Sequence, residues 1–164
     1  MSYKINTKPI SNFSLCYDLL SSDLEYCNYF KKIGWNYIQL KNQFLNNINF
    51  ALGLFEEKAL KGFVIGNLID IDNKLEYEIL LIYVNNNKRN LGHATKLLKD
   101  CELIFDKKLI KIYLEVAEDN QKAIKLYIKN KYEKVGIRKK YYNFNKNKLD
   151  AILFQKIINN KRYV

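Results

Sequence analysis

The chain has 164 residues, a length that fits one domain and can bury a hydrophobic core. Hydrophobic residues make up 48% of it and charged residues 27%, which indicates a soluble globular protein. No stretch approaches the roughly eighteen consecutive apolar residues of a membrane span, and residues 1–11 lack the apolar middle of a secretion signal. We therefore expect a cytoplasmic protein.

Cysteine and histidine are too sparse to predict a metal site or a disulfide framework. Cys16, Cys27 and Cys101 are odd in number and widely spaced, and His93 is the only histidine. A zinc site would need ligands that the sequence lacks, so we expect buried or inert thiols and no metal.

The net charge of +11 arises from 28 basic and 17 acidic residues. Such a balance can indicate nucleic-acid binding, but the lysines are spread along the whole chain among many Asn, Ile and Tyr residues. This distribution favours a compositional drift toward Lys and Asn. A phosphate-bearing ligand and a ribosome-associated or acidic target remain open alternatives.

The predicted elements follow one another without an internal repeat or a low-complexity linker. Residues 11–30 and 36–47 have apolar residues at helical spacing, and two strand-like runs in 49–71 predict a hairpin. The remaining segments predict a central strand (75–84), a helix (94–105), a strand (109–116), a helix (120–130) and two antiparallel strands (132–144 and 149–158). Helices followed by β-β-β-α-β-α-β-β predict an α/β fold with a mixed sheet.

A helical crossover joins the strand that ends at Val84 to the strand that begins at Leu109. Two strands connected in this way should be parallel. Ligands of such sheets bind beyond the carboxyl ends of the strands. We therefore expect a site near Tyr83-Val84 and Glu115-Val116.

The stretch "NNNKRNLGHATKLLKD", residues 85–100, leaves a strand, makes a basic turn around Gly92 and enters a helix. A helix N-terminus presents unpaired N–H groups, and glycine lets the main chain approach an anion closely or adopt a positive φ. Ala94 is small enough not to block this approach, and Arg89 with Lys88 adds positive charge. The turn lacks the P-loop and GxGxxG patterns. A plain strand-to-helix turn that needs one glycine is the alternative.

The pattern Arg89-x-x-Gly92-x-Ala94 between a strand and an amphipathic helix resembles the acetyl-CoA motif of the GCN5-related N-acetyltransferases (GNAT). The run "YLEVAEDNQKAIKLYIKNKYEKVGIRKKYYN" is similar to that of the bacterial ribosomal-protein alanine N-acetyltransferases, the RimI type. "DAILF" resembles the closing strand of that family, and "GWN" at 34–36 is similar to its Pro-Trp-Ser. The resemblance covers about Glu76 to Phe154.

The resemblance implies a single GNAT-type domain over residues 1–158, with a mixed, mainly antiparallel central sheet flanked by helices, followed by a flexible tail at 159–164. It implies Glu115 as the general base, Tyr127 as the general acid and Asn120 as an acetyl-CoA contact. It also implies that the main chain of Ile82, Tyr83 and Val84 holds the pantetheine and the acetyl carbonyl. The residues expected to wrap the pyrophosphate are Arg89, Asn90, Leu91, Gly92, His93, Ala94 and Thr95.

Two departures from the family pattern concern the acceptor and a helix end. Gly34 and Asn36 flank Trp35 where the family has proline and serine, which puts the acceptor specificity in question. Asn130-Lys131-Tyr132 replaces the usual Leu-Gly-Phe, and Asn130 can end the helix because asparagine tolerates left-handed geometry. Acceptor contacts are expected from Trp35, Tyr141 and Tyr142, although the tyrosine pair could equally be alternating strand aromatics.

Each candidate catalytic residue also has an alternative, purely structural interpretation. Glu115 could take a proton from an amine, directly or through a water, or could be a strand-end carboxylate paired with a lysine. Tyr127 could protonate a leaving thiolate or could be a core tyrosine. Main-chain N–H groups near Tyr83 could stabilise an oxyanion if the strand bulges there. We expect no chemical role for the side chain of His93.

The sequence therefore predicts an acetyl-CoA-dependent N-acetyltransferase that acts on a protein N-terminus. The resemblance implies the N-terminal alanine of a small-subunit ribosomal protein as the acceptor. One alternative is a GNAT enzyme that acts on a small-molecule amine or an aminoacyl-tRNA. The other is a non-catalytic RNA- or ribosome-binding module, for which the net charge of +11 is the argument.

Overall fold

The computed structural model describes residues 5–105, 108–144 and 147–158, so the predicted tail at 159–164 lies outside the described residues. The strands are β1 (Ile5–Pro9), β2 (Asn49–Glu56), β3 (Ala59–Ile71), β4 (Lys74–Val84), β5 (Leu109–Ala117), β6 (Glu133–Phe144) and β7 (Asn147–Ile157). The helices are α1 (Phe13–Ser21), α2 (Leu24–Lys32), α3 (Tyr37–Leu45), α4 (His93–Ile104) and α5 (Gln121–Lys129).

The seven strands form one sheet in the order β1-β2-β3-β4-β5-β7-β6. β4 and β5 are parallel, as the helical crossover predicts, and the other described neighbours are antiparallel. The α/β fold with a mixed, mainly antiparallel sheet is confirmed. The sequence analysis missed β1, which pairs with β2 at the sheet edge.

The helical region at 11–30 divides into two helices instead of one. Ser22 ends α1, and Asp23 begins α2 with its side chain accepting a hydrogen bond from the N–H of Tyr26 at 3.4 Å. Aspartate favours this N-cap position because its carboxylate satisfies a donor that the helix leaves unpaired. The apolar spacing alone did not predict this break.

The two faces of the sheet carry separate hydrophobic cores. On one face α4 and α5 pack with Leu97, Leu98, Cys101 and Tyr127 buried. On the other face α1, α2 and α3 contribute a core that includes Cys16, Leu20, Phe30 and Leu40. Helices therefore cover both faces and leave the site to the ends of the central strands.

A bulge at Leu80 sets the geometry of β4. The register with β3 shifts between Ile65 and Gly66, so that Leu80 is the extra residue. Tyr77 and Ile79 face the α4–α5 core, whereas Leu81 and Tyr83 face the α1–α3 core. Side chains of a strand point to alternate faces of the sheet, and one extra residue reverses this alternation. The bulge therefore explains the change of face.

Gly66 lies opposite the bulge and cannot carry a side chain. An added Cβ would collide with the carbonyl oxygen of Glu78. The pairing of β4 with β5 runs from Leu75 to Ile79 and does not continue beyond the bulge. A gap therefore opens between the carboxyl ends of the two parallel strands.

Candidate active site

Two cavities meet at this gap. The cleft is a cavity of about 200 Å³ between β4 and β5, and the groove is a larger cavity of about 940 Å³ beside it. Both are bordered by Glu115, and Trp35, Leu80 and Tyr142 also line both. The cleft is lined by nine residues that the sequence analysis singled out: Trp35, Ile82, Tyr83, Val84, Arg89, Glu115, Asn120, Tyr127 and Tyr142.

The turn before α4 begins the helix at a glycine in left-handed geometry. Gly92 is the N-cap of α4 in the left-handed region, with φ 80°, and no side chain caps the helix. An added Cβ at Gly92 would meet nothing within 4 Å, so the glycine leaves the approach to the helix open. Asn90 also has a positive φ, 60°. The N–H groups of the first turn therefore carry no cap from the protein itself.

Arg89 and Lys88 brace this turn with their side chains. Arg89 Nε donates to the carbonyl oxygen of Val84 at 2.9 Å, and Nη2 donates to Asp23 Oδ2 at 3.2 Å. The guanidinium carbon lies 3.7 Å from the ring centre of Tyr26 on α2. Lys88 Nζ donates to Glu56 Oε1 at 2.6 Å, and this bond lowers the pKa of Glu56. These contacts hold the Arg89 side chain at the edge of the cleft, between the turn and α2.

The residues after Gly92 join α4 to its neighbours. Ala94 packs against the α4–α5 core, whereas Leu91 is 63% exposed. His93 Nε2 is buried without a hydrogen-bond partner in the described part of the chain. Thr95 Oγ1 accepts a hydrogen bond from Asn130 Nδ2 at 3.1 Å.

Asn130 ends α5, as expected, but the expectation of left-handed geometry at this residue is wrong. Its φ is −91°, and the next residue, Lys131, has the positive φ of 65°. The Asn130 side chain is buried and donates to the carbonyl oxygen of Leu126 at 2.8 Å as well as to Thr95. A buried side-chain amide needs hydrogen-bond partners, so Asn130 stays in the position that reaches both Leu126 and Thr95. The left-handed turn is therefore made by Lys131.

Glu115 is held by an ion pair at the junction of the cleft and the groove. Arg138 Nη1 donates to Glu115 Oε1 at 2.6 Å, and the Glu115 side chain is 26% exposed. The partner is an arginine of β6, whereas the sequence analysis had considered a lysine. A carboxylate has a second oxygen with acceptor capacity, so the ion pair orients Glu115 and still leaves it able to accept a proton.

Tyr127 and Asn120 lie at the two ends of α5, and both line the cleft. Asn120 is the N-cap, and its Oδ1 accepts from the N–H of Ala123 at 3.2 Å. Tyr127 is buried against the rings of Tyr132 and Phe154. Burial, followed by the proximity of Tyr142, raises the pKa of Tyr127 well above the ordinary value, so its phenol stays protonated at neutral pH.

Tyr141 and Tyr142 both line the groove because β6 is bulged before them. The register between β6 and β7 shifts between Arg138 and Tyr142. Asp150 holds the bulge, since its Oδ1 accepts from the N–H of Lys140 at 2.8 Å. Neighbouring residues of a regular strand face opposite sides, so the bulge explains how both rings reach one cavity.

Three features of the groove were missed by the sequence analysis: Glu78, the role of Arg138, and a row of amides on α3. Glu78 Oε2 accepts from Asn67 Nδ2 at 3.0 Å, and Asn67 Oδ1 accepts from Gln43 Nε2 at 2.8 Å. The polar positions of "LEYEIL" in β4 were the available signal for Glu78. The other two features arise from contacts between distant segments.

The family model described as the acetyltransferase (GNAT) family matches residues 15–132, well over half of the chain. The chain belongs to the acetyltransferase (GNAT) family. This confirms the GNAT resemblance of the sequence. The GNAT match includes β2 to β5, α4, α5 and therefore every residue of the cleft except Tyr142.

The sequence of this GNAT chain is also similar to that of a curated protein. It is 31% identical over 108 residues to the uncharacterized protein ML0378 of Mycobacterium leprae (strain TN), a match that covers 66% of this chain and 30% of that protein. The chain thus spans less than a third of the length of this relative.

Two solved structures share the fold over nearly their whole length. Arabidopsis thaliana NAA60, crystallised with a bisubstrate analogue, has a TM-score of 0.75 at 20% identity, with 96% of this chain and 99% of that one covered. The Escherichia coli ribosomal-protein-S18-alanine N-acetyltransferase has a TM-score of 0.74 at 16% identity, with 99% of both chains covered. NAA60 has also been crystallised with acetyl-CoA.

Residues 5–105, 108–144 and 147–158 contain no group of three or more His, Cys, Asp or Glu side chains placed to hold a metal ion. Within the same ranges no helix has the length and apolar character that crossing a membrane requires.

Proposed function

We propose that this GNAT chain transfers the acetyl group of acetyl-CoA to the α-amino group of a protein N-terminus, and that the N-terminal alanine of a small-subunit ribosomal protein is the acceptor. The observation that carries the proposal is the position of Glu115, which borders both the cleft and the groove. A donor in the cleft and an acceptor in the groove would meet at this carboxylate. The cytoplasmic location stays a prediction from the sequence.

The donor would bind along the open edge of β4 and the start of α4. The uncapped N–H groups after Gly92 and the positive end of the helix dipole suit a pyrophosphate. Beyond the bulge the edge of β4 is not paired with β5, so main-chain groups of Leu80 to Val84 that neither β3 nor Arg89 engages are available to the pantetheine and the acetyl carbonyl. NAA60 binds acetyl-CoA in its crystal structure, which supports this assignment.

The acceptor amine would approach from the groove and must be neutral to attack. A peptide α-amino group has a pKa of about 7.7–8.0, so a carboxylate is a sufficient base near neutral pH. Glu115 would accept the proton on the oxygen that Arg138 leaves free, directly or through a water. Attack on the acetyl carbonyl then gives an oxyanion, which N–H groups of the bulged edge of β4 would stabilise, and the attacking nitrogen loses its second proton to solvent as the amide forms.

Tyr127 would complete the reaction by giving its phenolic proton to the departing thiolate. A phenol is protonated at neutral pH already at its ordinary pKa of about 10, so the proton is present when the thiolate forms. The side chain lines the cleft near the expected sulfur. The three steps use residues from β4, β5 and α5 that meet only at the gap between the strands.

A panel of acceptors tests the proposal. Purified protein with acetyl-CoA should acetylate alanine-ended peptides at the α-amine, as mass spectrometry of the products would show. Turnover restricted to small amines or aminoacyl-tRNA would place the enzyme in the alternative class of acceptors. Tight, salt-sensitive RNA binding without any acetyl transfer would instead support a binding module.

A further inference from the structure

One wall of the groove is a row of carboxamides on α3. Gln39, Asn42, Gln43 and Asn46 all line the groove. They stand at positions i, i+3, i+4 and i+7, which places them on one face of the helix. Leu40 anchors the helix from the other side and is only 1% exposed. We call these four residues the amide face.

The amide face is fixed at its inner end and open at its outer positions. Gln43 Nε2 donates to Asn49 Oδ1 at 3.0 Å and to Asn67 Oδ1 at 2.8 Å, which ties α3 to the sheet. Gln39 and Asn42 are exposed, and their side chains make no hydrogen bond to another described residue. Their donors and acceptors are therefore available to a ligand in the groove.

The chemistry of the amide face matches a peptide main chain. Each carboxamide offers two N–H donors and one carbonyl acceptor, the same groups that a peptide bond presents. The charged residues that line the groove, Glu78, Glu115 and Arg138, lie on β4, β5 and β6 and not on this face. The face itself therefore suits a part of the ligand that is recognised by neutral polar groups.

The dimensions of the groove fit several residues. From Gln39 to Asn46 α3 rises about 10 Å, at roughly 1.5 Å per residue. An extended peptide covers about 3.3–3.6 Å per residue, so the face spans about three residues. The groove volume of about 940 Å³ is more than four times that of the cleft. A small amine would leave most of this space unused.

We infer that the amide face binds the main chain of the second to fourth residues of a peptide acceptor. The inference rests on the proposed function, because it assumes that the groove holds the acceptor. The enzyme then requires an acceptor of several residues. It binds the main-chain N–H and C=O groups of these residues and does not select for the charge of their side chains. The first residue would lie between this segment and Glu115.

Acceptor length gives the first test. We expect kcat/KM to rise by about tenfold or more as an alanine-ended acceptor grows from one residue to four, and to level off with the fifth. Replacing an acidic by a basic side chain at the third residue should change kcat/KM by less than about threefold. Methylating the peptide nitrogens of the second and third residues should remove most of the gain from length, because it removes their N–H donors.

The double substitution Gln39→Ala with Asn42→Ala gives the second test. Alanine is a strong helix former, so α3 should remain folded. We expect kcat/KM for the four-residue acceptor to fall by about tenfold and that for the one-residue acceptor to stay unchanged. The matched control is Ile38→Ala, at a position on α3 that is 64% exposed and does not line the groove. It should leave the length dependence intact.

The outcomes separate the inference from the proposed function. Equal kcat/KM for short and long acceptors, or an equal loss for both in the double variant, would overturn the role of the amide face while acetyl transfer stands. Binding of acetyl-CoA without transfer to any peptide or amine would overturn the proposed function, and the inference with it.

Discussion

The carboxylate of Glu115 shows how much of the proposed chemistry depends on one side chain. β5 delivers it to the end of the strand, Arg138 of β6 fixes one oxygen at 2.6 Å, and the two cavities meet beside it. Glu78 is a second carboxylate in the groove, but it borders only that cavity. The position of Glu115, more than its residue type, distinguishes the two.

Replacing Glu115 with Gln should lower kcat by about a hundredfold or more, because a positioned general base contributes about 10²–10⁴ to the rate. The affinity for acetyl-CoA should change little, since the proposed donor contacts come from main-chain groups. Steady-state kinetics with an alanine-ended peptide and calorimetry with acetyl-CoA would measure the two effects.

Glu76→Gln is the matched control for this substitution. Glu76 is ion-paired with Lys111 at 2.8 Å, its side chain is 17% exposed, and it lies outside both cavities. It should keep kcat within about threefold of wild type, as is usual for an ion pair away from the reaction. If Glu115→Gln behaved like Glu76→Gln, Glu115 would not be the base.

At the scale of single elements, polar contacts tie α2 to β4 and to the turn before α4. Asp23 begins the helix and accepts hydrogen bonds from both Tyr83 Oη, at 3.0 Å, and Arg89 Nη2, at 3.2 Å. Tyr26, Tyr29 and Phe30 of α2 line the cleft. The ion pair therefore links the turn before α4 to a wall of the cleft.

Asp23→Ala and Arg89→Ala should each destabilise the protein by about 1–3 kcal/mol, between the values for exposed and buried ion pairs. The side chains are only 12% and 23% exposed. The double variant should lose less than the sum of the two, because each single change removes the same contact. Urea unfolding of the three variants would measure this.

The same variants decide whether the guanidinium binds phosphate. If Arg89 acts through α2, both single variants should weaken acetyl-CoA binding to a similar extent. A much larger loss in Arg89→Ala than in Asp23→Ala would show that the Arg89 side chain contacts the pyrophosphate directly.

The elements with strong local patterns were predicted from the sequence, and the others depend on distant contacts. β4 and α5 have long apolar patterns, and they lie close to their predicted bounds. β1 is five residues long, polar and ends in Pro9, so only its pairing with β2 defines it. The bulge in β6 depends on Asp150 of the next strand, which no local pattern in β6 reveals.

Some parts of the candidate site could be predicted from local sequence, and others could not. The turn around Gly92 and the set Glu115, Asn120 and Tyr127 carry short motifs, so the sequence predicts them. Arg138 and the amide face acquire their positions from strand pairing and from the docking of α3. Their residue types are common in this Lys- and Asn-rich chain, and nothing in the local sequence separates them from other surface residues.

The whole molecule keeps several ionisable groups neutral in its two cores. Burial raises the pKa of Cys16 from its ordinary 9.0 to about 12, and it raises the pKa of Tyr77 well above the usual range. The unfolded chain releases these protons at lower pH than the folded protein does. Their contribution to stability is therefore complete below about pH 9 and is lost as the pH rises toward 12.

The free energy of unfolding should accordingly fall between about pH 8 and about pH 10, the range in which unfolded thiols and phenols begin to ionise. Urea unfolding at the two pH values would measure the change. Cys16→Ala should show a shallower decline, since one of the groups responsible is gone. Equal stability at both pH values in the wild-type protein would rule out this effect of burial.

Acetyl-CoA binding by the turn around Gly92 tests the proposal most directly. Isothermal titration calorimetry should show binding by the wild-type protein and none by Gly92→Trp, because the indole would fill the open approach to the first turn of α4. Gly34→Trp is the matched control, since Gly34 also has a positive φ, 96°, with nothing within 4 Å, and it borders only the groove. Loss of binding in Gly92→Trp alone is the expected result; absence of heat with the wild-type protein, or unchanged affinity in Gly92→Trp, would contradict it.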